Sequence, residues 1–155
     1  MVFSALVDLL HQLATVFWIG GMAFINLVLE PSLAAVDPVQ RGRIMGMVGK
    51  RFTSVAWGSV LLLVITGFLK TPDGLLFDTS EGYGITLLAK HIVVLLMILF
   101  GLRISLSLVP RIRREAPQPG QAPTTEFLKT QKQFEFLSRV NFLLGLLVLV
   151  LVALL

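Results

Sequence analysis

Only two histidines, His11 and His91, occur among the 155 residues, and each lies inside an apolar run long enough to cross a bilayer. An imidazole in hydrocarbon needs compensation, and ionisable side chains at membrane depth mark functional sites. Two neutral imidazoles from facing helices form an axial pair that a helical bundle can offer to the iron of haem b. The flanking residues extend that chemistry. Asp8, one turn before His11, can accept the second ring N–H of that histidine, and Lys90, beside His91, can pair with a propionate. Thr15, Trp18 and Met22 follow His11 at i+4, i+7 and i+11 and so share its helix face. Trp18 and Phe17 are expected against the porphyrin plane. Gly21, next to Gly20, either leaves room for a flat ligand or lets helices approach. His11 and His91 are thus the expected metal ligands, with Asp8, Thr15, Trp18, Gly21 and Lys90 as cofactor contacts.

Copper is the competing ligand, and it asks for different donors. Cu(I) favours thioethers and thiolates, but Met22 lies about 16 Å along the helix axis from His11 and Met97 about 9 Å from His91. Neither sulfur can join a first shell with the histidine on its own helix, so both methionines read as gap-filling core residues. Cysteine is absent, which removes iron–sulfur clusters and Cys-zinc sites. No carboxylate pair, Ser-His-Asp set or nucleotide loop is present either.

The elements that must position these residues are transmembrane helices. Hydrophobic residues make up 55% of the chain and charged ones 14%, a balance that a water-soluble domain of this length could not use. Apolar runs at about 5–29, 52–69, 84–109 and 137–155 each meet the requirement of roughly 20 residues per span. They are apolar on every face, unlike the alternating strands of a barrel. The expected fold is all-α, a single polytopic domain built as a four-helix up-down bundle. The first run lacks the basic start and small-residue cleavage site of a signal peptide and reads as a permanent span.

Lys and Arg set the orientation. Arg41, Arg43, Lys50 and Arg51 lie between spans 1 and 2, and Arg103, Arg111, Arg113, Arg114, Lys129, Lys132 and Arg139 lie between or at the ends of spans 3 and 4, whereas the loop between spans 2 and 3 offers Lys70 against Asp73, Asp78 and Glu81. The chain is therefore expected in the inner or plasma cell membrane with both termini outside. The net charge of +4 is absorbed by this topology, and no nucleic-acid partner is expected. Pro110 to Pro123 reads as a loop (110–125) that cannot continue a helix. Thr124-Thr-Glu126 opens a cytoplasmic extension of span 4 whose Phe127, Leu128, Phe134 and Leu137 suit an interfacial stripe. Glu30-Pro31 and Thr66-Gly67 read as helix-end chemistry, and Trp57 and Tyr83 as interfacial belt residues. In an up-down bundle spans 1 and 3 run the same way, and His11 and His91 each lie roughly 10 Å below their outer ends.

His11 with Trp18-x-Gly20-Gly21, then Pro31, then Arg51-Phe52 leading to Thr66-Gly67, and Tyr83-Gly84 followed by Leu87-Leu88-x-Lys90 resemble the core of the copper-resistance D (CopD) membrane family, as far as Val109. They are similar, more distantly, to the HemJ-type protoporphyrinogen oxidases, short helical membrane proteins with a His in the first span and a Lys in the third. The resemblance implies His11 and Lys90 as functional residues; His91 rests on depth alone. It leaves three classes open: a b-type haem protein of electron transfer or redox sensing, a copper transporter or copper-handling protein, and an oxidoreductase acting on a porphyrinogen. The expected partners are the lipid bilayer and a redox protein or quinone, with homo-oligomerisation open.

Overall fold

The computed structural model describes residues 1–71, 82–118 and 120–154. The acidic loop with Asp73, Asp78 and Glu81, together with Pro119 and the expected span end Leu155, lies outside the described residues. Four helices are long and apolar enough to cross a membrane: α1 (Val2–Ser32), α2 (Pro38–Lys70), α3 (Gly82–Glu115) and α4 (Thr125–Ala153). No strand occurs among the described residues. The protein is an all-α membrane protein, as its apolar runs require.

Neighbouring helices run antiparallel, α1 packs on α2 and α4, and α3 packs on α2 and α4, so α1 and α3 face each other across the diagonal. Both chain termini come to one end of the bundle, called here the terminal end. Most of the basic residues, Lys70 and Lys90 excepted, gather at the other. All four helices extend beyond the expected spans at their basic ends, while α4 stops at Ala153 at the other. Asp37 caps α2 by accepting from the Val39 and Gln40 amides at 3.0 and 3.3 Å, and Pro38 fits the first turn. The basic segment from Arg41 to Arg51 is thereby helical. Thr124 caps α4 through the Phe127 amide at 3.2 Å. Pro110, expected to end span 3, does not: a π-turn over Ile104–Leu108 precedes it, and helix then continues from Val109 to Glu115. A π-turn frees backbone groups that a following proline, lacking an N–H, need not satisfy.

Of the stripe expected at the membrane interface, the two phenylalanines are core instead, while Leu128 stays exposed and Leu137 is partly buried. Phe127 and Phe134 are buried with Met45, Leu108, Val109 and Ile112 at the basic end, because α2 brings small residues to them. A Cβ at Gly42 would overlap the Phe127 ring, and one at Gly49 would stand 3.2 Å from Val109. A second cluster, Trp18, Ile19, Met22, Val60, Met97, Phe142 and Val148, fills the middle of the bundle. Leu6, Leu9, Leu13, Phe17 and Phe24 of α1 are exposed, forming the apolar outer face that hydrocarbon would cover.

Candidate functional site

The terminal half of the bundle holds the residues singled out above. His11 leaves α1 toward α2, where its Nδ1 lies 2.7 Å from the Thr66 Oγ1. The Thr66 hydroxyl spends its own hydrogen on the Leu62 carbonyl one turn back, at 2.6 Å. Its oxygen is therefore the acceptor for His11, which places the ring hydrogen on Nδ1 and leaves a lone pair on Nε2. His91 arrives at the same tautomer by another route: its Nδ1 is 2.7 Å from the Leu87 carbonyl of its own helix, and a carbonyl can only accept. Both half-buried imidazoles thus keep Nε2 for a ligand.

The two also share a level. Starting from the contact of Gly49 with Val109 and counting at 1.5 Å per residue along antiparallel helices sets Thr66, and with it His11, level with about residue 92 of α3, one position from His91. Charges surround His11. Lys70 and Lys90 both act on its ring through space, and Asp8 pairs with Lys70 at 2.8 Å. Among the described residues, two cations and one carboxylate thus lie around His11, and Lys90 is the cation of the two without the Asp8 pairing that Lys70 has.

Several expected contacts fall elsewhere. Asp8 does not take the His11 ring hydrogen: Thr66 does, and Asp8, a turn nearer the helix start, reaches the end of α2 and Lys70. The Thr15 hydroxyl donates to the His11 carbonyl at 2.9 Å, holding the helix rather than offering itself to a ligand. Gly21 leaves no slot for a flat molecule, because the Phe52 ring occupies the space where its Cβ would stand; its role is the close crossing of α1 and α2. Phe17 is 57% exposed and faces outward, whereas Trp18 is 6% exposed and turns into the central cluster. Trp57, read as a belt residue, bonds inside the bundle, its indole N–H donating to the Ser105 hydroxyl at 3.2 Å. Lys90 is half-buried, on the same helix as His91 and acting on His11.

Sequence reasoning missed Thr66 as a partner of His11. The signal was the Thr-Gly pair itself, since a hydroxyl in the last turns of an apolar span calls for a polar neighbour. It also missed that Met22 and Met97, on diagonal helices, converge. Their methyl ends stand 3.3 and 3.4 Å from where a Gly145 Cβ would lie, and they line, with Trp18, Trp57, Ser105 and Asn141, a cavity of about 70 Å³. Nothing in α1 or α3 alone announces that meeting; it requires Gly145 on α4. Among the described residues no group of three or more His, Cys, Asp or Glu side chains is gathered as a metal site.

Comparison with known proteins adds a family. The family described as copper resistance protein D matches over residues 46–155, a stretch that includes Thr66, Lys90 and His91 and begins after His11. An uncharacterized protein of Aquifex aeolicus (strain VF5) is 40% identical over 63 residues, 40% of this chain and 43% of that protein, so the chain matches less than half the length of this curated relative. No solved structure matches.

Proposed function

The chain belongs to the copper resistance protein D family, and from that premise we propose that it is a b-type haem membrane protein of electron transfer or redox sensing, in which His11 and His91 would hold the haem at the terminal end of the bundle. The observation that carries this reading is the pair of imidazoles on diagonal helices at one level, each with Nε2 left free by a hydrogen bond at Nδ1. Several residues offer the chemistry such a group would need. Thr66 and the Leu87 carbonyl fix the two rings, which raises their basicity as ligands; Lys90 and Lys70 offer cations to propionates; apolar helix surfaces exclude water. Bound there, haem would supply one-electron chemistry, its potential tuned by the axial pair and by burial. A redox protein or quinone would be the partner.

A second reading, copper handling, is favoured by the family description and by the Met22–Met97 pair, since two thioethers beside an indole suit Cu(I). The visible spectrum of detergent-purified protein, before and after haemin addition, tests the first reading. A Soret band at one haem per chain is expected. Protein that stays colourless but binds Cu(I), with the affinity lost on Met22→Leu with Met97→Leu, would put copper first.

Orientation follows from the basic end of the bundle. We propose that this end faces the cytoplasm. The chain has no cysteine of its own, so single cysteines report cleanly. In intact cells Ser4→Cys should react with an impermeant thiol reagent and Gln121→Cys should be protected; the reverse pattern would invert the topology and move the histidines to the inner leaflet.

A further inference from the structure

Toward the basic end, the α1–α4 contact carries a ladder of buried polar side chains that the histidine site does not use, its Asn141 rung bordering the Met22–Met97 cavity. Asn26 donates from Nδ2 to the Met22 carbonyl at 2.8 Å and to the Ser138 hydroxyl at 3.0 Å. Asn141 lies one turn from Ser138 on α4, and Glu30 one turn from Asn26 on α1, just past a π-turn over Ile25–Leu29. Such π-turns often sit at functional positions. The Glu30 side chain is only 2% exposed. Four buried atoms in this ladder have no hydrogen-bond partner: the Asn26 Oδ1, the Asn141 Oδ1 and both carboxyl oxygens of Glu30.

All four are acceptors, so the ladder is short of hydrogens, not of oxygens. A metal ion is a poor remedy. Successive rungs stand roughly 5 Å apart along the helices, and a hard cation needs six or more oxygens gathered around one point. A proton is a good one: it turns one acceptor of Glu30 into a donor. The charged groups acting on Glu30 are Glu135 and Arg139 of α4 and Arg41 of α2. Arg41 and Glu135 pair with each other. Arg139 places Nη2 3.5 Å from the Glu30 Oε2 while its own side chain is 63% exposed, so it can close on the carboxylate or swing into the aqueous phase.

We propose that Glu30 is a proton-binding carboxyl enclosed within the bundle, which exchanges its proton against ion pairing with Arg139. Uptake takes one proton from the adjoining water onto a carboxylate oxygen and releases the guanidinium outward. Loss of the proton returns it to water, and Arg139 moves in as counter-charge. Nothing else is oxidised, reduced or transferred. The chain thereby has a protonation step at the basic end, separate from the histidines at the other and independent of what they bind.

Infrared spectroscopy of the purified full chain in lipid nanodiscs, titrated from mildly acidic to mildly alkaline pH, tests this. The wild type should show the carbonyl stretch of a protonated carboxylic acid, fading as pH rises, and Glu30→Gln should remove that band while melting at the wild-type temperature, because a neutral amide supplies the missing donor. Identical carbonyl regions in the two proteins at every pH would overturn the proposal. Should Glu30→Gln fail to fold, Arg139→Gln decides: a folded variant that keeps the acid band supports a protonated Glu30, and a variant that unfolds marks a permanent ion pair and contradicts it.

Discussion

Leucine in place of Gly42 should cost the bundle a large part of its stability. Phe127, 0% exposed, already occupies the volume where the new Cβ would stand, and although the Gln131 amide beside it can move, the buried ring cannot fold away. Overpacking of this kind costs about 1–3 kcal/mol, occasionally more, and for a domain of this size each kcal/mol lowers the melting temperature by about 2–4 °C. Gly21→Leu should behave alike through Phe52. Gly58→Leu is the control: nothing lies within 4 Å of its Cβ position, so its melting temperature in detergent should match the wild type. Equal melting of the Gly42 and Gly58 variants would mean that α2 and α4 do not cross as described.

Thr66→Val should damage the site without removing a ligand. Valine keeps the shape but deletes the oxygen that accepts the His11 Nδ1–H, leaving the ring free to turn and its donor unpaired, a penalty of about 1–3 kcal/mol for a buried group. Loss of such an outer partner lowers affinity for the bound metal about 10–100-fold. Haem titration of the purified variant measures it, and Thr66→Ser, which restores the hydroxyl, should recover most of the binding. Unchanged haem affinity in Thr66→Val would assign the threonine to helix packing alone.

The spans were legible because composition and length suffice: an apolar run long enough to cross a bilayer has few alternatives. Their ends were less so. The basic turns from Arg41 to Arg51 read as loop by charge, yet Asp37-Pro38 is a helix start, and the cap decided the matter. Pro110 read as a stop, and a π-turn before it absorbed the disruption. At the site, His11, His91 and Lys90 stood out as polar groups in apolar surroundings, a signal carried by each residue alone. What stayed hidden was relational. Asp8 and Thr66 are equally good partners for an imidazole, and only the crossing of α1 on α2 chooses Thr66. Gly21 was open to two uses until Phe52 filled the space. Glu30, beside a proline at a span end, looked like helix-end chemistry, and only α4 folding over it makes it a buried carboxyl.

The pairing of the two histidines is tested most directly by the electron paramagnetic resonance spectrum of the oxidised, haem-loaded protein compared with His11→Ala, His91→Ala and Lys90→Ala. A low-spin six-coordinate signal is expected from the wild type. Each histidine variant should give a high-spin or haem-free protein, since one strong axial donor is gone, while Lys90→Ala lowers occupancy and keeps the low-spin signal. A His91→Ala protein with the wild-type spectrum, beside a Lys90→Ala protein with altered coordination, would contradict the account and make Lys90 the second axial ligand.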